Sequence, residues 1–277
     1  HRWLECAASL APTTVVERAP SVYSDEGTAA HSLLELCLRL DQDAFKFICT
    51  IMFKNYVVTE EMADAVSHAL DWLKAYLAKN KNAKYHCEYV VPLQHALGTR
   101  GYEQGTADII VDNAPRELVI VDYKHGAGVD VEVEDNPQLR LYALGYAKQV
   151  DKEYRRYRSV IVQPRARHAG GPVREHTYTN LNAFGTIVRE RIVDIEANPS
   201  QAKAGDWCRW CAHAPRCKVL TAHVMNAASL EFDSLEAPTT TDMTFAQLGA
   251  ALRQSYIIEA WIKLVRGEAL RLAIDGA

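Results

Sequence analysis

The sequence lacks the features that would mark a membrane, secreted or motor protein. No apolar run approaches the roughly 20 residues that a membrane-spanning helix needs. No charged segment followed by an apolar run opens the chain, so no secretory signal is visible. A phosphate-binding loop of the type G-x-x-x-x-G-K-S/T is absent, so an ATP-driven motor would have to be a separate partner. Internal repeats and low-complexity tracts are also missing. We therefore expect a cytoplasmic globular protein.

Excess positive charge is missing from the chain as a whole. The net charge is −4, so the field of the whole molecule would not attract a polyanion. Residues 152–168 are a local exception, in which two tyrosines are interleaved with six basic side chains against one Glu153. This run predicts either a surface that guides a nucleic-acid strand or an ordinary solvated face. The basic residues are Lys152, Arg155, Arg156, Arg158, Arg165 and Arg167.

Hydrophobic periodicity divides the chain into helices, strands and helices again. With 277 residues, of which 48% are hydrophobic, it can bury a sizeable core. Helical spacing covers 28–40, 59–79, 135–148, 181–198 and 245–274, and β-branched runs predict strands at 85–93, 106–113, 117–126, 157–164 and 173–179. The pattern indicates an α/β (α+β) fold, in which a small mixed central sheet is flanked by helices.

The same pattern suggests a domain division. We expect one domain at 1–228, with a helical part (1–82), a sheet core (83–200) and a cysteine region (201–228). Residues 230–242 have the composition of a linker, so 229–277 would be a linker and a C-terminal helix.

The seven cysteines do not form a disulfide framework by number or by expected compartment. Cys37, Cys49 and Cys87 lie in apolar contexts and are predicted to be small buried hydrophobes. Three others stand in W-C-R-W-C-A-H-A-P-R-C at 207–217, where arginine and proline make a poor core segment. Metal ligation is the more natural use of such a cluster, but four ligands are normal. A local site of these three thiolates with His213 would suit zinc, and a distant fourth cysteine would suit zinc or an iron–sulfur cluster.

Two acids and a lysine lie directly beside apolar strand runs, one acid where the second strand opens and the other acid with the lysine where the third strand ends. Asp108 ends G-T-A-D, and Asp122 and Lys124 belong to V-D-Y-K. Residues two apart in a strand share a face, so Asp122 and Lys124 point the same way while Tyr123 points opposite. Two carboxylates would make an oxygen site for Mg²⁺ or Mn²⁺, and the lysine could orient a water or neutralise charge on phosphorus. The alternative is that these residues only flank the strands.

With His31 in E-G-T-A-A-H and the helix P-Q-L-R-L-Y-A at 137–143, these motifs resemble the RecB-type branch of the PD-(D/E)xK nuclease superfamily, in the same order along the chain. The resemblance implies a restriction-endonuclease-like core and a metal held by His31, Asp108, Asp122 and the carbonyl of Tyr123. It makes Lys124 the catalytic lysine and places Gln138 and Tyr142 on the substrate. Asp122 stands where much of the superfamily has Glu, and Glu88 on the first strand is an additional acid candidate. Arg155, Arg156, Arg158 and Arg165 are expected to contact DNA.

The cysteines strengthen the resemblance. The CRISPR-associated RecB-like exonucleases and the AddB group carry one cysteine before the nuclease core and three after it, which jointly hold a 4Fe-4S cluster. Cys6 precedes His31 here, and Cys208, Cys211 and Cys217 follow the last strand. The resemblance therefore implies an iron–sulfur cluster on these four thiolates, with zinc as the competing occupant.

The leading hypothesis is an Mg/Mn-dependent DNA exonuclease that acts on DNA ends or single-stranded DNA. The R-W-L-x-C start and E-G-T-A-A-H are also similar to a phage- and prophage-associated group, which implies DNA recombination or processing beside a helicase or recombinase. Relatives in that group are longer at both ends, so we expect this chain to be a trimmed piece. The alternatives are a non-catalytic DNA-end or partner-binding module, and a zinc-stabilised structural protein.

Overall fold

The computed structural model describes residues 2–10, 22–93, 104–128, 130–232 and 244–274. The chain divides into two compact units, one formed by 19–190 and the other by 1–18 together with 191–277. This grouping differs from the sequence-based division, which placed a boundary at residue 228.

In the unit 19–190, two long helices precede the sheet. Helix α1 spans Val22–Leu40 and α2 spans Glu60–Lys79. The side chain of Thr59 caps α2 by accepting a hydrogen bond from the Met62 N–H, which satisfies one of the free donors at the start of the helix. Between the two helices lie short 3-10 turns at Ala44–Phe47 and Phe53–Asn55.

A five-stranded sheet follows, in the order β1-β2-β3-β4-β5. Its strands are β1 (Lys84–Pro92), β2 (Gln104–Asn113), β3 (Glu117–Tyr123), β4 (Tyr157–Val162) and β5 (Val173–Tyr178). Only β3 and β4 pair in parallel, because helix α3 (Pro137–Gln149) carries the chain across between them. The predicted mixed sheet flanked by helices is confirmed.

The core of this unit forms where α1 and α2 cover one face of the sheet. Alternate residues of β2 and β3, including Val111, Val121 and Tyr123, are buried there against Leu33 and Val66 of the two helices. Helix α3 packs against β1 and β3. Gly145 of α3 allows a close approach, because a Cβ at that position would lie 2.5 Å from Cγ1 of Val91.

In the other unit, helices pack around the cysteine region. Helix α4 (Asn182–Ala197) crosses the division at 190–191, and α5 (Lys218–Phe232) and α6 (Phe245–Ile274) follow. Trp261 and Leu264 of α6 pack against a small core containing Cys208, Ala214 and Leu220. This apolar packing explains why the C-terminal helix groups with the cysteines. Helix α5 was not predicted. Its end overlaps the predicted linker at 230–232, and 233–242 lie outside the described residues.

One cysteine prediction is wrong. Cys37 is buried as expected and Cys87 is half-buried, but Cys49 is exposed. It lies in the connection between α1 and α2 with φ of 66°, and its apolar neighbours Ile48 and Ile51 are exposed with it. Along the described part of the chain, helices long and apolar enough to cross a membrane are not found.

Candidate active site and cysteine cavity

The candidate active site begins where β2 and β3 stop pairing. Their register ends at Ile109 opposite Val121. Just beyond, the N–H of Tyr123 donates to Asp108 Oδ2 at 2.6 Å instead of continuing the ladder. This hydrogen bond fixes the Asp108 carboxylate between the two strands and leaves its Oδ1 for other partners.

His31, Glu88 and Asp108 meet at this point. His31 Nδ1 lies 3.4 Å from Asp108 Oδ1 and 3.8 Å from Glu88 Oε1. Within the described part of the chain, this is the one group of three or more His, Cys, Asp or Glu residues whose ligand atoms all lie within 4.8 Å of one another. Glu88 has φ of 46°, which is unusual for a non-glycine residue inside a strand and typical of strain held at functional positions. The additional acid therefore lies beside the histidine, although its role stays a prediction.

Asp122, Lys124 and Gln138 form the adjoining part of the site. Lys124 Nζ donates to Asp122 Oδ1 at 3.0 Å, and Gln138 Nε2 of α3 lies 3.4 Å from the same oxygen. Asp122 is 5% exposed. Its Oδ2 lies 2.9 Å from Lys124 Nζ, but among the described residues it has no partner with hydrogen-bond geometry. A buried carboxylate oxygen is thus left able to accept a further cation or donor.

The carboxylates of this site lie close together and are largely shielded from water. Burial lowers the pKa of His31, but the carboxylates of Asp108 and Glu88 outweigh it and raise that pKa to about 10. Burial raises the pKa of Asp122 to about 6, against the opposing charge of Lys124 and with the help of Asp108. Burial also lowers the pKa of Lys124, but Asp122 more than compensates, so that pKa is raised. The positive charges of protonated His31 and Lys124 therefore compensate the negative charges of Asp108, Glu88 and Asp122. A metal cation bound at the same place would compensate those charges in the same way.

The Q-x-x-x-Y pair lies beside these residues, and its contact with a substrate stays a prediction. Gln138 Nε2 lies 3.4 Å from the hydroxyl of Tyr142, one helical turn further along α3. Gly105 of G-T-A-D makes room for the tyrosine ring, because a Cβ there would lie only 2.4 Å from Tyr142 Cε1. The Tyr142 ring therefore occupies the space that a side chain at position 105 would need.

The basic run has carboxylate partners inside the protein. Arg158 contacts buried Glu117 at 3.0 Å and Glu175 at 2.6 Å, and Arg156 lies 3.5 Å from Glu117. Arg165 is paired with Glu26 and Glu61 at 2.9 and 3.0 Å. Arg155 and Arg156 are both exposed. Contact of these arginines with DNA stays a prediction, and the structure gives three of the four an internal electrostatic role.

His125 is a buried residue near the site that the sequence analysis missed. It is 4% exposed, its Nδ1 lies 2.8 Å from the hydroxyl of Tyr123, and its Nε2 lies 3.3 Å from Glu26 Oε1. The Tyr123 ring in turn meets His31 edge-on, with ring centroids 5.5 Å apart. Burial and the nearby charge of Arg165 lower the pKa of His125. The only signal in the sequence was its place directly after D-Y-K.

The four cysteines implied by the resemblance come together in the other unit. Cys6, Cys208, Cys211 and Cys217 all line one cavity of about 390 Å³. Backbone N–H groups of Lys203 and Leu220 lie 3.5 Å from the sulfurs of Cys6 and Cys217 and donate to them. Burial, with the other three thiols, raises the pKa of Cys208 to about 11 against a backbone hydrogen bond that lowers it.

The other residues that line this cavity and the distances between its sulfurs bear on what it could hold. His213, Lys203, Arg216 and Lys218 also line it. Where the chain is described, no three of the thiols have their sulfurs within 4.8 Å of one another. Any three of them therefore include at least one pair of sulfurs farther apart than the roughly 3.8 Å that tetrahedral Zn–S bonds of about 2.3 Å would give.

Fold and site together define an α+β protein with a candidate metal centre at the end of a mixed sheet and a four-cysteine cavity. The chain belongs to the DUF2800 family, described as "Protein of unknown function (DUF2800)", which matches residues 1–277. Among solved structures, it is similar to SSO0001, with 15% identity, a TM-score of 0.33 and coverage of 78% of this chain and 92% of that one. It is also similar to a Eubacterium rectale protein described as "Putative exonuclease", with 11% identity, a TM-score of 0.38 and coverage of 70% and 75%. Neither likeness is close enough to transfer a function.

Proposed function

We propose that this chain is an Mg²⁺- or Mn²⁺-dependent DNA nuclease of the RecB-like PD-(D/E)xK type, which hydrolyses phosphodiester bonds at DNA ends or in single-stranded DNA. The observation that carries the proposal is the convergence of His31, Asp108, Asp122 and Lys124, from a helix and two strands, at one end of the sheet. Residues far apart in sequence meet there in the combination that metal-assisted phosphodiester hydrolysis needs.

The donor set suits a hard divalent cation. His31, Asp108 and Asp122 would hold the metal, with the carbonyl of Tyr123 as a further oxygen and Glu88 beside them. The buried Oδ2 of Asp122, which is ion-paired with Lys124 but has no partner with hydrogen-bond geometry among the described residues, and the raised pKa of His31 both indicate that a cation would stabilise this site. When bound, the metal would act as a Lewis acid towards water and the phosphate group. Because His31 must lose its proton to ligate, we expect binding to weaken as pH falls.

The surrounding side chains have distinct tasks in this proposal. Lys124, anchored by Asp122, would orient the attacking water and neutralise charge that develops on the phosphate. Gln138 and Tyr142 would bind the nucleotide on the α3 side, where Gln138 Nε2 also helps to hold Asp122. The glutamine amide and the tyrosine hydroxyl can donate hydrogen bonds to phosphate oxygens.

Cleavage assays test the proposal. End-labelled single- and double-stranded DNA is incubated with Mn²⁺ and the wild-type chain, Asp122→Ala or Lys124→Ala, and we expect at least about a hundredfold loss of rate in both variants. Lys148→Ala is a matched control, because Lys148 is an exposed lysine on α3. Undiminished cleavage by both site variants would refute the assignment. DNA binding without cleavage by the wild-type chain would favour the non-catalytic module.

We also propose that the cysteine cavity holds a 4Fe-4S cluster. Support comes from the meeting of four thiols around about 390 Å³ and from backbone donors to two of the sulfurs. Lysine and arginine on the rim would offset the negative charge of a thiolate-bound cluster. At least one wide sulfur–sulfur distance in any three of the thiols weighs against zinc on all four cysteines, and equally against the alternative of zinc on three cysteines with His213, which also lines the cavity.

Metal analysis distinguishes these occupants. Anaerobically purified protein should contain about four irons and four sulfides per chain and absorb broadly in the visible range. Cys6→Ser should lose iron, whereas Cys49→Ser, at an exposed cysteine, should retain it. Stoichiometric zinc without iron would contradict the cluster, and full iron in Cys6→Ser would remove Cys6 from the ligand set.

The biological setting is proposed from the sequence resemblance. The R-W-L-x-C start and the E-G-T-A-A-H helix support a cytoplasmic role in phage or prophage DNA recombination or processing. DNA would be the substrate, and a helicase or recombinase would supply the strand as a separate partner.

A further inference from the structure

The loop between β3 and α3 joins two parts of the candidate active site. It follows Lys124 and ends at Asn136, whose side chain caps α3 by accepting a hydrogen bond from the N–H of Gln138. Lys124 Nζ and Gln138 Nε2, on either side of the loop, lie 3.0 and 3.4 Å from Asp122 Oδ1. The path of the loop therefore affects how these two side chains meet at the carboxylate.

One buried side chain contacts the loop on both of its sides. Gln163 directly follows β4 and is 2% exposed. Its Nε2 donates to the carbonyl of Gly126 at 3.0 Å, and its Oε1 accepts from the N–H of Val131 at 3.0 Å. The backbone N–H of Gln163 donates to the carbonyl of Pro172 at 2.8 Å, so the side chain extends from a fixed point at the end of the sheet. A single amide group thus connects Gly126 with Val131.

Arg174 of β5 fixes both the amide and the loop. Its guanidinium, on a residue that is 5% exposed, donates to Gln163 Oε1 at 3.1 Å and to the carbonyl of Val131 at 2.9 Å. It also donates to Asp130 Oδ1 at 2.5 Å. Because the oxygen of the Gln163 amide faces two donors, its nitrogen is the end that faces Gly126. The orientation of the amide is therefore determined by its partners.

The loop begins with residues that restrict its path very little. Gly126 and Gly128 are two of the first four residues after Lys124, and a Cβ at either position would meet nothing within 4 Å. Glycine has more backbone conformations available than any other residue, and closing a loop costs entropy. Hydrogen bonds from Gln163 and Arg174 therefore restrict a segment whose sequence would otherwise allow many paths.

We propose that Gln163 is a positioning residue, which holds the β3–α3 loop so that Lys124 and Gln138 meet at Asp122. The inference rests on the proposed function, in which Lys124 orients the attacking water and Gln138 binds the nucleotide. It adds to that function a residue that acts through the loop rather than by contact with DNA.

Gln163→Met tests the inference, because it removes the hydrogen bonds of the amide at nearly constant volume. In Mn²⁺-dependent cleavage of end-labelled DNA, kcat should fall by about tenfold to a hundredfold, the loss expected when reacting groups are displaced by about 1 Å. Hydrogen–deuterium exchange of peptides covering residues 130–136 should become faster, because the N–H of Val131 loses its acceptor.

Asn113→Leu is the matched control for a buried amide. Asn113 is 9% exposed at the other end of the sheet, and its Nδ2 donates to the hydroxyl of Tyr76 and to Asn80 Oδ1. This variant should lose stability but keep the wild-type kcat and the wild-type exchange of residues 130–136. A purely structural role of Gln163 would make the two variants alike, with lower stability and an unchanged kcat.

Two further variants keep the test decisive where Gln163→Met fails to fold or its effect is indirect. Asp130→Ala, at a side chain that is 43% exposed, removes the ion pair with Arg174 and should speed exchange and lower kcat by a smaller factor. Combined with Gln138→Ala, Gln163→Met should give a loss of kcat smaller than the product of the two single losses, because both changes disturb the same contact with Asp122.

Cleavage by the wild type with an equal kcat for Gln163→Met and Asn113→Leu would overturn the inference and leave the nuclease standing. Losses of kcat that multiply in the double variant, or an Asp130→Ala variant with unchanged exchange and kcat, would also overturn it. Faster exchange of the loop in Gln163→Met without cleavage by the wild type would have the opposite meaning. The hold of Gln163 on the loop would then stand, and the nuclease would be rejected.

Discussion

Gly105→Ala is predicted to disturb the candidate active site through a single methyl group. A Cβ at this position would lie 2.4 Å from Cε1 and 2.6 Å from the hydroxyl oxygen of Tyr142. Carbon atoms in contact are normally about 3.5–4.0 Å apart, so the overlap exceeds about 1 Å. The tyrosine ring must move, and with it the contact to Gln138.

The size of the effect follows from this overlap. Overpacking of this kind typically costs about 1–3 kcal/mol. With a urea dependence of about 2 kcal/mol per molar, a loss of about 2 kcal/mol lowers the unfolding midpoint by about 1 M. Gly27→Ala is the matched control, because a Cβ on α1 at Gly27 meets nothing within 4 Å. It should stabilise the protein by roughly 0.5–1 kcal/mol, the usual gain when alanine replaces glycine inside a helix.

Urea unfolding of four proteins tests the argument: wild type, Gly105→Ala, Tyr142→Ala and the double variant. Removing the ring removes the clash, so the double variant should be more stable than the sum of the two single changes predicts, by about 1 kcal/mol or more. The Gly105→Ala variant should also lose DNA affinity. Additive free energies, or a midpoint unchanged from the wild type, would refute the proposed fit between glycine and tyrosine.

Three further predictions follow from the same contacts. Glu88→Gln should weaken Mn²⁺ binding by about tenfold or more in titration calorimetry, since a carboxylate leaves the group with His31 and Asp108; unchanged affinity would remove Glu88 from the ligand set. His125→Phe should also lower Mn²⁺ affinity by about tenfold, because the hydroxyl of Tyr123 loses its hydrogen-bond partner and the Tyr123 ring contacts His31. A change in thermal stability without a change in Mn²⁺ affinity would give His125 only a structural role. Arg158→Ala should lower the free energy of unfolding by up to about 3 kcal/mol, because Glu117, which is 2% exposed, loses its closest arginine. Arg155→Ala, at an exposed arginine, is the control and should leave the free energy of unfolding unchanged. Equal stability of the two variants would contradict the internal role of Arg158.

The sheet and the D-x-K arrangement were largely predictable from local sequence. Strand periodicity depends on neighbouring residues, so the β-branched runs identified all five strands to within a few residues; between β1 and β2, 94–103 lie outside the described part. The placement of Asp122 and Lys124 on one face follows from the same period of two. Helix α5 was missed because its apolar residues follow directly on the cysteine stretch without a strong cap or a clear stripe.

Long-range contacts were harder to predict, because they depend on register and on packing between elements. Nothing local in the run of arginines indicates that Arg158 meets Glu117 across neighbouring strands, or that Arg165 meets Glu26 on α1. The exposure of Cys49 was likewise missed, because an apolar context in sequence does not reveal which side of a segment faces the core.

By itself, the sequence determined which chemical groups this protein has and the order in which they occur: two acids and a lysine beside apolar strand runs, a histidine on a helix, and one cysteine before and three cysteines after the predicted sheet. Only the tertiary structure decided that Glu88 joins His31 and Asp108, that Gly105 accommodates Tyr142, and that Cys6 shares a cavity with Cys208. The physical reason is that residue type and periodicity are local properties, whereas a site is made by side chains that the packing of distant elements brings within a few ångströms.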